Sequence, residues 1–138
     1  SSSGPTNQLS YIISSLDRKI FDPYILTLSD EPILSSIDYF ETYLKVPIES
    51  LGLSRVQSIF TGLSKVMNYV LDNEIDLIHS QGIRADGLIR KMSIPKVCTI
   101  RTYPYKDYLT KFGRLKGIFM AYSHMRIIKS NSKNYIAC

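Results

Sequence analysis

Three stretches of this chain place polar, charged and glycine residues where a loop or a strand end could meet a ligand. The first is Ser3-Gly4-Pro5-Thr6-Asn7, just ahead of a helical pattern. The first amides of a helix have no partners inside it, so such a loop leaves a terminus open to an anion, or supplies only a cap through Thr6 or Asn7. The second is His79-Ser80-Gln81-Gly82, with Arg84 and Asp86 just beyond. His79 could be a base, a ligand contact or a hydrogen-bonded strand residue; Gly82 relieves a turn, and Asp86 stands where a helix dipole favours an acid. The third is Arg101-Thr102-Tyr103-Pro104-Tyr105-Lys106-Asp107-Tyr108. Arg101 could grip a phosphate or carboxylate with paired N–H groups while Tyr103 and Tyr105 offer faces to a sugar or base; equally, the loop could simply cover a sheet.

Other chemistries find no foothold. GxGxxG and GxxxxGK[ST] are both absent, which removes a dinucleotide fingerprint and a P-loop. Ser80 adjoins His79 without a GxSxG elbow, and adjacency in sequence gives no triad. His124, beside Met125, reads as a helix-face residue rather than a metal ligand, HExxH is missing, and the carboxylates are too scattered to name a glycosidase pair. Cys98 and Cys138 lie in apolar surroundings without CxxC or Cys/His spacing, so neither a disulfide framework nor a structural zinc is expected. No catalytic residue and no metal ligand is named.

The elements that must position these residues follow from periodicity. Helical spacing predicts helices over Thr6–Arg18, with Leu9, Ile12, Ile13 and Leu16 as a stripe, over Ser35–Tyr43, and over Val56–Leu71, with a stop at Asp72-Asn73. Further helices are predicted over Ile83–Met92 and over a long amphipathic stretch from about Lys111 to Lys129, the latter after a loop from Thr102 to about Thr110. Short apolar runs predict strands at Tyr24–Leu28, Val46–Ile48, Ile75–His79, Ile94–Arg101 and Tyr135–Cys138. Strands alternating with helices imply βαβ units: an α/β fold with a Rossmann-like parallel sheet and helices on both faces. In such a sheet ligands bind at the carboxyl ends of the strands, so Gly4–Asn7, His79–Arg84 and Arg101–Asp107 are expected to converge on one rim.

Length and composition agree. The chain has 138 residues with 44% hydrophobic and 21% charged, enough for one globular domain and outside the range of disordered, collagenous or coiled-coil chains. Its apolar runs are too short to span a bilayer, which leaves a peripheral membrane role open. It opens at Ser1-Ser2-Ser3-Gly4 without an initiator Met and closes in an apolar run, and reads as a piece of a longer protein, truncated at both ends. The net charge of +5 is uneven: eight of the 17 Lys and Arg but only one of the 12 Asp and Glu fall in residues 101–138. That concentration is the footprint of a phosphate-bearing partner, or a solvated helix face; Lys111, Arg114, Lys116, Arg126 and Lys129 form its candidate patch for phosphate or membrane.

The stretches Ile75 to Asp86, Pro95 to Tyr108 and Tyr135 to Cys138, with the opening Gly4-Pro5-Thr6-Asn7 and the strand exit Leu26-Thr27-Leu28-Ser29-Asp30-Glu31-Pro32, together resemble the N-terminal domain of family 4 glycosyltransferases. The resemblance covers nearly the whole chain through short motifs. It implies the N-terminal half of a GT-B fold with its first strand missing: a single Rossmann-like domain over 1–138 that holds the acceptor. An absent C-terminal domain would bind most of the nucleotide-sugar donor, with no cofactor and no metal, and the chain alone would be inactive. It implies a retaining hexosyl-type transferase of cell-surface polysaccharide or glycolipid synthesis. That enzyme would be cytoplasmic and peripheral at the inner face of the plasma membrane, with a sugar or lipid-linked acceptor. By position, the Gly4 loop would face the donor phosphates or the reacting sugar, and His79, Gln81, Gly82 and Arg84 would line the acceptor side. Many members carry a His after the strand ending at Ile100, and Arg101 stands in its place here; an Arg stays protonated and points to a charged substrate.

Two other readings use the same residues. A non-catalytic phosphate- or nucleic-acid-binding α/β domain would explain the basic, tyrosine-rich third, but no RNP, KH, zinc-finger or helix-turn-helix signature accompanies it. A Rossmann-like epimerase is disfavoured by the missing GxGxxG.

Overall fold

Every strand pairing among the described residues of the computed structural model is parallel, and strands alternate with helices, so the α/β class expected from the periodicity holds. The structure describes residues 4–30, 37–101, 103–130 and 135–137. Its strands form short open sheets, one of two strands and one of three. The chain folds as two compact units, residues 1–58 and 59–138.

In the first unit, α1 (Gly4–Ser14) starts earlier and stops sooner than the predicted Thr6–Arg18. Ser14 and Ser15 both donate their hydroxyls to the Tyr11 carbonyl, at 3.0 and 2.8 Å. Asp17 then accepts the Lys19 amide on Oδ1 while its carbonyl takes the Ile20 and Phe21 amides. Such local bonds compete with the helix ladder and end it. The described part of the predicted helix Ser35–Tyr43 closes as a π-helical turn, Tyr39–Tyr43, after which Lys45 turns into the left-handed region. Ile13, Phe40 and Val46 form the buried core, with Leu9, Ile25, Leu44 and Ile48 packed on it.

The two strands of this unit, β1 (Ile25–Thr27) and β2 (Ile48–Ser50), pair with Ile25 opposite Ile48. The expected strand Val46–Ile48 is thus displaced, because Pro47 has no N–H to donate and contributes only its carbonyl, which takes the Ile25 amide at 3.0 Å. After β2, Ser54 and Gln57 cap α2 (Arg55–Phe60) reciprocally: the Gln57 side chain accepts the Ser54 amide at 2.9 Å and the Ser54 hydroxyl accepts the Gln57 amide at 3.2 Å.

The continuous helix predicted over Val56–Leu71 is two helices, α2 and α3 (Gly62–Asp72), broken at Thr61-Gly62, a β-branched residue followed by the residue with the weakest helix preference after Pro. The break moves the buried stripe. Gly62, Val66 and Tyr69 are buried, whereas Val56, Ile59, Phe60, Met67 and Leu71 are exposed. The predicted stop at Asp72-Asn73 holds. Glu74 then takes a positive φ and the Ile75 amide reaches back to the Val70 carbonyl at 2.9 Å. Ile75 is therefore still tied to the helix end, and β3 (Ile78–Gln81) begins three residues later than expected, where the Ile78 amide finds the Pro95 carbonyl.

β3, β4 (Lys96–Ile100) and β5 (Tyr135–Ala137) lie side by side in that order, with Ser80 opposite Cys98 and Cys98 opposite Tyr135. The crossover from β3 to β4 is α4 (Ile83–Ile89), shorter than the predicted Ile83–Met92 because Lys96 donates its ammonium to the Ile89 and Met92 carbonyls and closes that end as a turn. The crossover from β4 to β5 corrects the sequence reading more deeply. The expected loop Thr102–Thr110 is largely helix, α5 (Pro104–Phe112), and the expected long helix is α6 (Arg114–Ser130). Pro104 suits a first helical turn, and Gly113, at φ 76°, supplies the left-handed stop between them. The two helices cross in backbone contact at Gly117, where a Cβ would lie 2.6 Å from the Tyr108 carbonyl oxygen.

Candidate functional site

Alternation along paired strands divides the second unit's sheet into two chemically different faces. Ser80 and Cys98 share the face toward α4, since the Ser80 hydroxyl donates to Asp86 Oδ1 at 2.6 Å and contacts Cys98 Sγ at 3.2 Å. His79, Gln81, Thr99 and Arg101 alternate onto the other face; Gln81 ends β3 and Arg101 follows β4, whereas His79, expected as the last residue of its strand, is the second of the four residues of β3. There His79 Nε2 and Thr99 Oγ1 are 2.7 Å apart, and the Arg101 guanidinium donates to Gln81 Oε1. Gln81 Nε2 is buried with no hydrogen-bond partner among the described residues.

This places His79, Gln81 and Arg101 together, as the sequence led one to expect. Desolvation holds the His79 imidazole below its ordinary pKa, the Arg101 charge lowers it further, and Asp86 opposes both. Near neutral pH the site therefore pairs an uncharged imidazole with a guanidinium that stays protonated. Such a pair can hold a phosphate or carboxylate and take a proton from a neighbouring hydroxyl.

Gly82 makes the turn out of β3 at φ 105° and ψ 152°, a conformation open in practice only to glycine. Arg84, half-buried, stands in the first turn of α4. Tyr103 and Tyr105 flank the start of α5, with ring centroids 5.9 Å apart; Tyr103 is exposed and Tyr105 half-buried. Gly4, Pro5, Thr6 and Asn7 belong to the first unit, where they are the opening turn of α1 rather than a loop ahead of it.

Beneath β3 lies a polar cluster that sequence reasoning missed. Asp86 is 1% exposed, accepts the Ser80 hydroxyl, and has His124 Nε2 3.5 Å from its Oδ2, a contact that is not a hydrogen bond. On its other side His124 Nδ1 is 3.1 Å from the Tyr108 hydroxyl. Asp86 thus joins β3, α4, α5 and α6. Burial pushes the Cys98 thiol above its ordinary pKa, hydrogen bonds from Ser80 and Tyr135 opposing this, so the thiol stays protonated and unreactive. Burial, then the charges of Asp107 and Asp86, raises Tyr108. The missed signal was the spacing Gly117, Ala121, His124, the buried stripe of α6, which turns His124 inward rather than out. The order Ser–Asp–His gives no nucleophile: the Ser80 hydroxyl donates to a carboxylate, not to an imidazole, and is itself buried.

The basic residues lie along α5 and α6. Lys111, Arg114, Lys116, Arg126 and Lys129 are all exposed, but Lys111 is engaged by Asp107 at 3.0 Å and Lys116 sits 5.5 Å from the Phe112 ring centroid. The expected amphipathic character of α6 is not what the fold produces, since apolar residues occupy its exposed face as well as its buried one. No helix among the described residues is long and apolar enough to cross a membrane, and among them no group of three or more His, Cys, Asp or Glu is placed to hold a metal. Comparison with protein-family models, with curated proteins and with solved structures finds no match to this chain.

Proposed function

We propose that the chain is the acceptor-side half of a retaining, nucleotide-sugar-dependent glycosyltransferase of cell-surface polysaccharide or glycolipid synthesis. Its location would be the cytoplasm, at the inner face of the plasma membrane. The observation that supports this reading is the contact of Gln81 and Arg101 at the carboxyl ends of adjacent parallel strands, where open α/β sheets take their ligands, with His79 two residues earlier on the same face. In this reading Arg101, oriented by Gln81, holds an anionic group of the acceptor or sugar. His79 lies close enough to share the same ligand, and Tyr103 and Tyr105 offer ring faces to a pyranose. Arg84 and Gly82 line the turn beside them. The opening turn Gly4–Asn7 is kept as a donor-side contact on the resemblance alone.

The test is sugar transfer by the intact parent protein, given a panel of labelled nucleotide sugars and its own membrane lipid extract as acceptor. Label entering the lipid phase from one donor supports glycosyl transfer and identifies the sugar. With no transfer and no nucleotide-sugar hydrolysis from any donor, the site would instead belong to a non-catalytic phosphate-binding module.

A further inference from the structure

The outward face of α6 carries the wrong residues for a surface that meets only water. Its buried face is used by Gly117, Ala121 and His124. On the far side Leu115 is 90% exposed, Phe119 72%, Tyr122 54% and Ile118 48%. Their spacing of three, four and seven residues makes one stripe over the first half of the helix. Phe112 at the end of α5 is exposed too, beneath the Lys116 ammonium.

The charges around the stripe all have one sign. Arg114 and Lys116 adjoin Leu115 in sequence and so project about 100° to either side of it. Arg126 and Lys129 continue the same outward face toward the helix end, and α6 contains neither Asp nor Glu. Two classes of partner bury an apolar stripe, a protein and a lipid surface. Lysine is depleted from protein interfaces, whereas helices that lie in the membrane interface combine a Lys/Arg-rich border with Leu and Phe on the inserted face. The long cationic side chains can also lay their methylene stems along the apolar surface while their heads reach phosphates.

We propose that the first half of α6 docks on an anionic membrane surface. Leu115, Ile118, Phe119 and Tyr122 enter the boundary between headgroups and acyl chains, and Arg114, Lys116, Arg126 and Lys129 meet the lipid phosphates. This rests on the surface of α6 alone, and it stands or falls separately from the transferase reading.

Sedimentation of the chain with vesicles tests it, using phosphatidylcholine alone and phosphatidylcholine mixed with phosphatidylserine. The chain is expected to sediment with the mixed vesicles, and less so as salt rises. Removing two charges in R114Q/K116Q weakens binding about 25-fold at low salt, at about fivefold per cation. Replacing two exposed apolar side chains in L115S/F119S weakens it at least about tenfold. An unchanged urea midpoint for L115S/F119S separates lost docking from lost folding. Because the chain has no Trp, F119W provides a single reporter, whose emission shifts to the blue on mixed vesicles and is quenched by brominated acyl chains.

Failure to sediment with either vesicle overturns the proposal, as does binding that L115S/F119S leaves unchanged or Trp emission indifferent to lipid. Concentration-dependent self-association abolished by L115S/F119S, without vesicle binding, would make the stripe a protein interface instead.

Discussion

Asp86 shows how much one side chain can hold in a fold of this size. Its carboxylate has a hydroxyl on one oxygen and an imidazole beside the other, and almost no solvent. Asp86→Ala would leave the buried Ser80 hydroxyl without its acceptor, and is expected to cost about 1–3 kcal/mol in urea unfolding. Ser80→Ala removes one bond and should cost about 1 kcal/mol. On the opposite face the informative residue is His79. Its imidazole is expected to titrate below the ordinary histidine value when followed by NMR, and Arg101→Gln should move the midpoint upward by removing one of the two causes that depress it. A midpoint unmoved by that change would show that Arg101 does not act on His79. The sign for stability follows: the folded protein binds this proton less readily than the unfolded chain. The site is therefore without penalty above the ordinary histidine value, and destabilises the fold as pH falls through it toward the lowered one. If the proposed transferase is assayed at full length, Arg101→Ala should raise the KM for acceptor or donor sharply, by about tenfold or more for a lost charge-assisted contact; unchanged kinetics would remove Arg101 from the proposed site.

Among the elements, glycines decide where helices meet and end. Gly117 allows α5 and α6 to touch through their backbones, and Gly117→Ala drives a Cβ to 2.6 Å from a carbonyl oxygen and 2.7 Å from the Leu109 Cα. Neither atom can swing aside, so a loss of about 1–3 kcal/mol or more is expected in thermal or urea unfolding. Gly87 makes the contrast. There the nearest atom to a new Cβ is the Ile127 Cδ1 methyl at 3.4 Å, the end of a flexible side chain. Gly87→Ala, which also gains helix propensity, should be neutral or stabilising by up to about 1 kcal/mol. Equal losses at the two positions would mean that α5 and α6 do not cross this closely. Periodicity revealed most helices and strands, because burial on one face leaves a pattern that needs no partner to be read. It missed α5, since Pro104 and three tyrosines look like a loop until Pro is placed in a first helical turn. It also joined α2 to α3, since apolar residues run past Thr61 with the right spacing even though the helix is interrupted there.

For the whole molecule, the uneven charge and the exposed apolar residues are the features that reach beyond the fold. Residues 101–138 carry eight of the 17 Lys and Arg against one of the 12 acids, a surplus that exceeds the chain's net +5 and leaves the rest of the chain slightly acidic. If the acceptor-half reading is right, the 138-residue chain should bind a sugar phosphate, with NMR shifts concentrated at His79, Gln81 and Arg101, while transferring no sugar by itself. Transfer by this chain alone would contradict it, because the reading puts most of the donor contacts elsewhere. Phosphate-dependent shifts confined to α6 would move the anion site from the strand ends to the helix surface.

The parallel α/β class, most of the helices and strands, the position of Arg101 just past a strand, and the basic character of the last third are local or additive properties, and were legible in the sequence for that reason. Periodicity is set by which neighbours along the chain share a face, and charge needs only counting. Which residues finally face inward was decided by tertiary structure. Contacts among Ser80, Asp86, Tyr108 and His124, from four elements, made one buried cluster, the Ile75 amide chose a helix carbonyl over a strand, and the α5–α6 crossing at Gly117 left Leu115 and Phe119 on the outside. Each of these depends on distances between segments that the chain closes only when it folds, and a one-dimensional pattern carries no record of them.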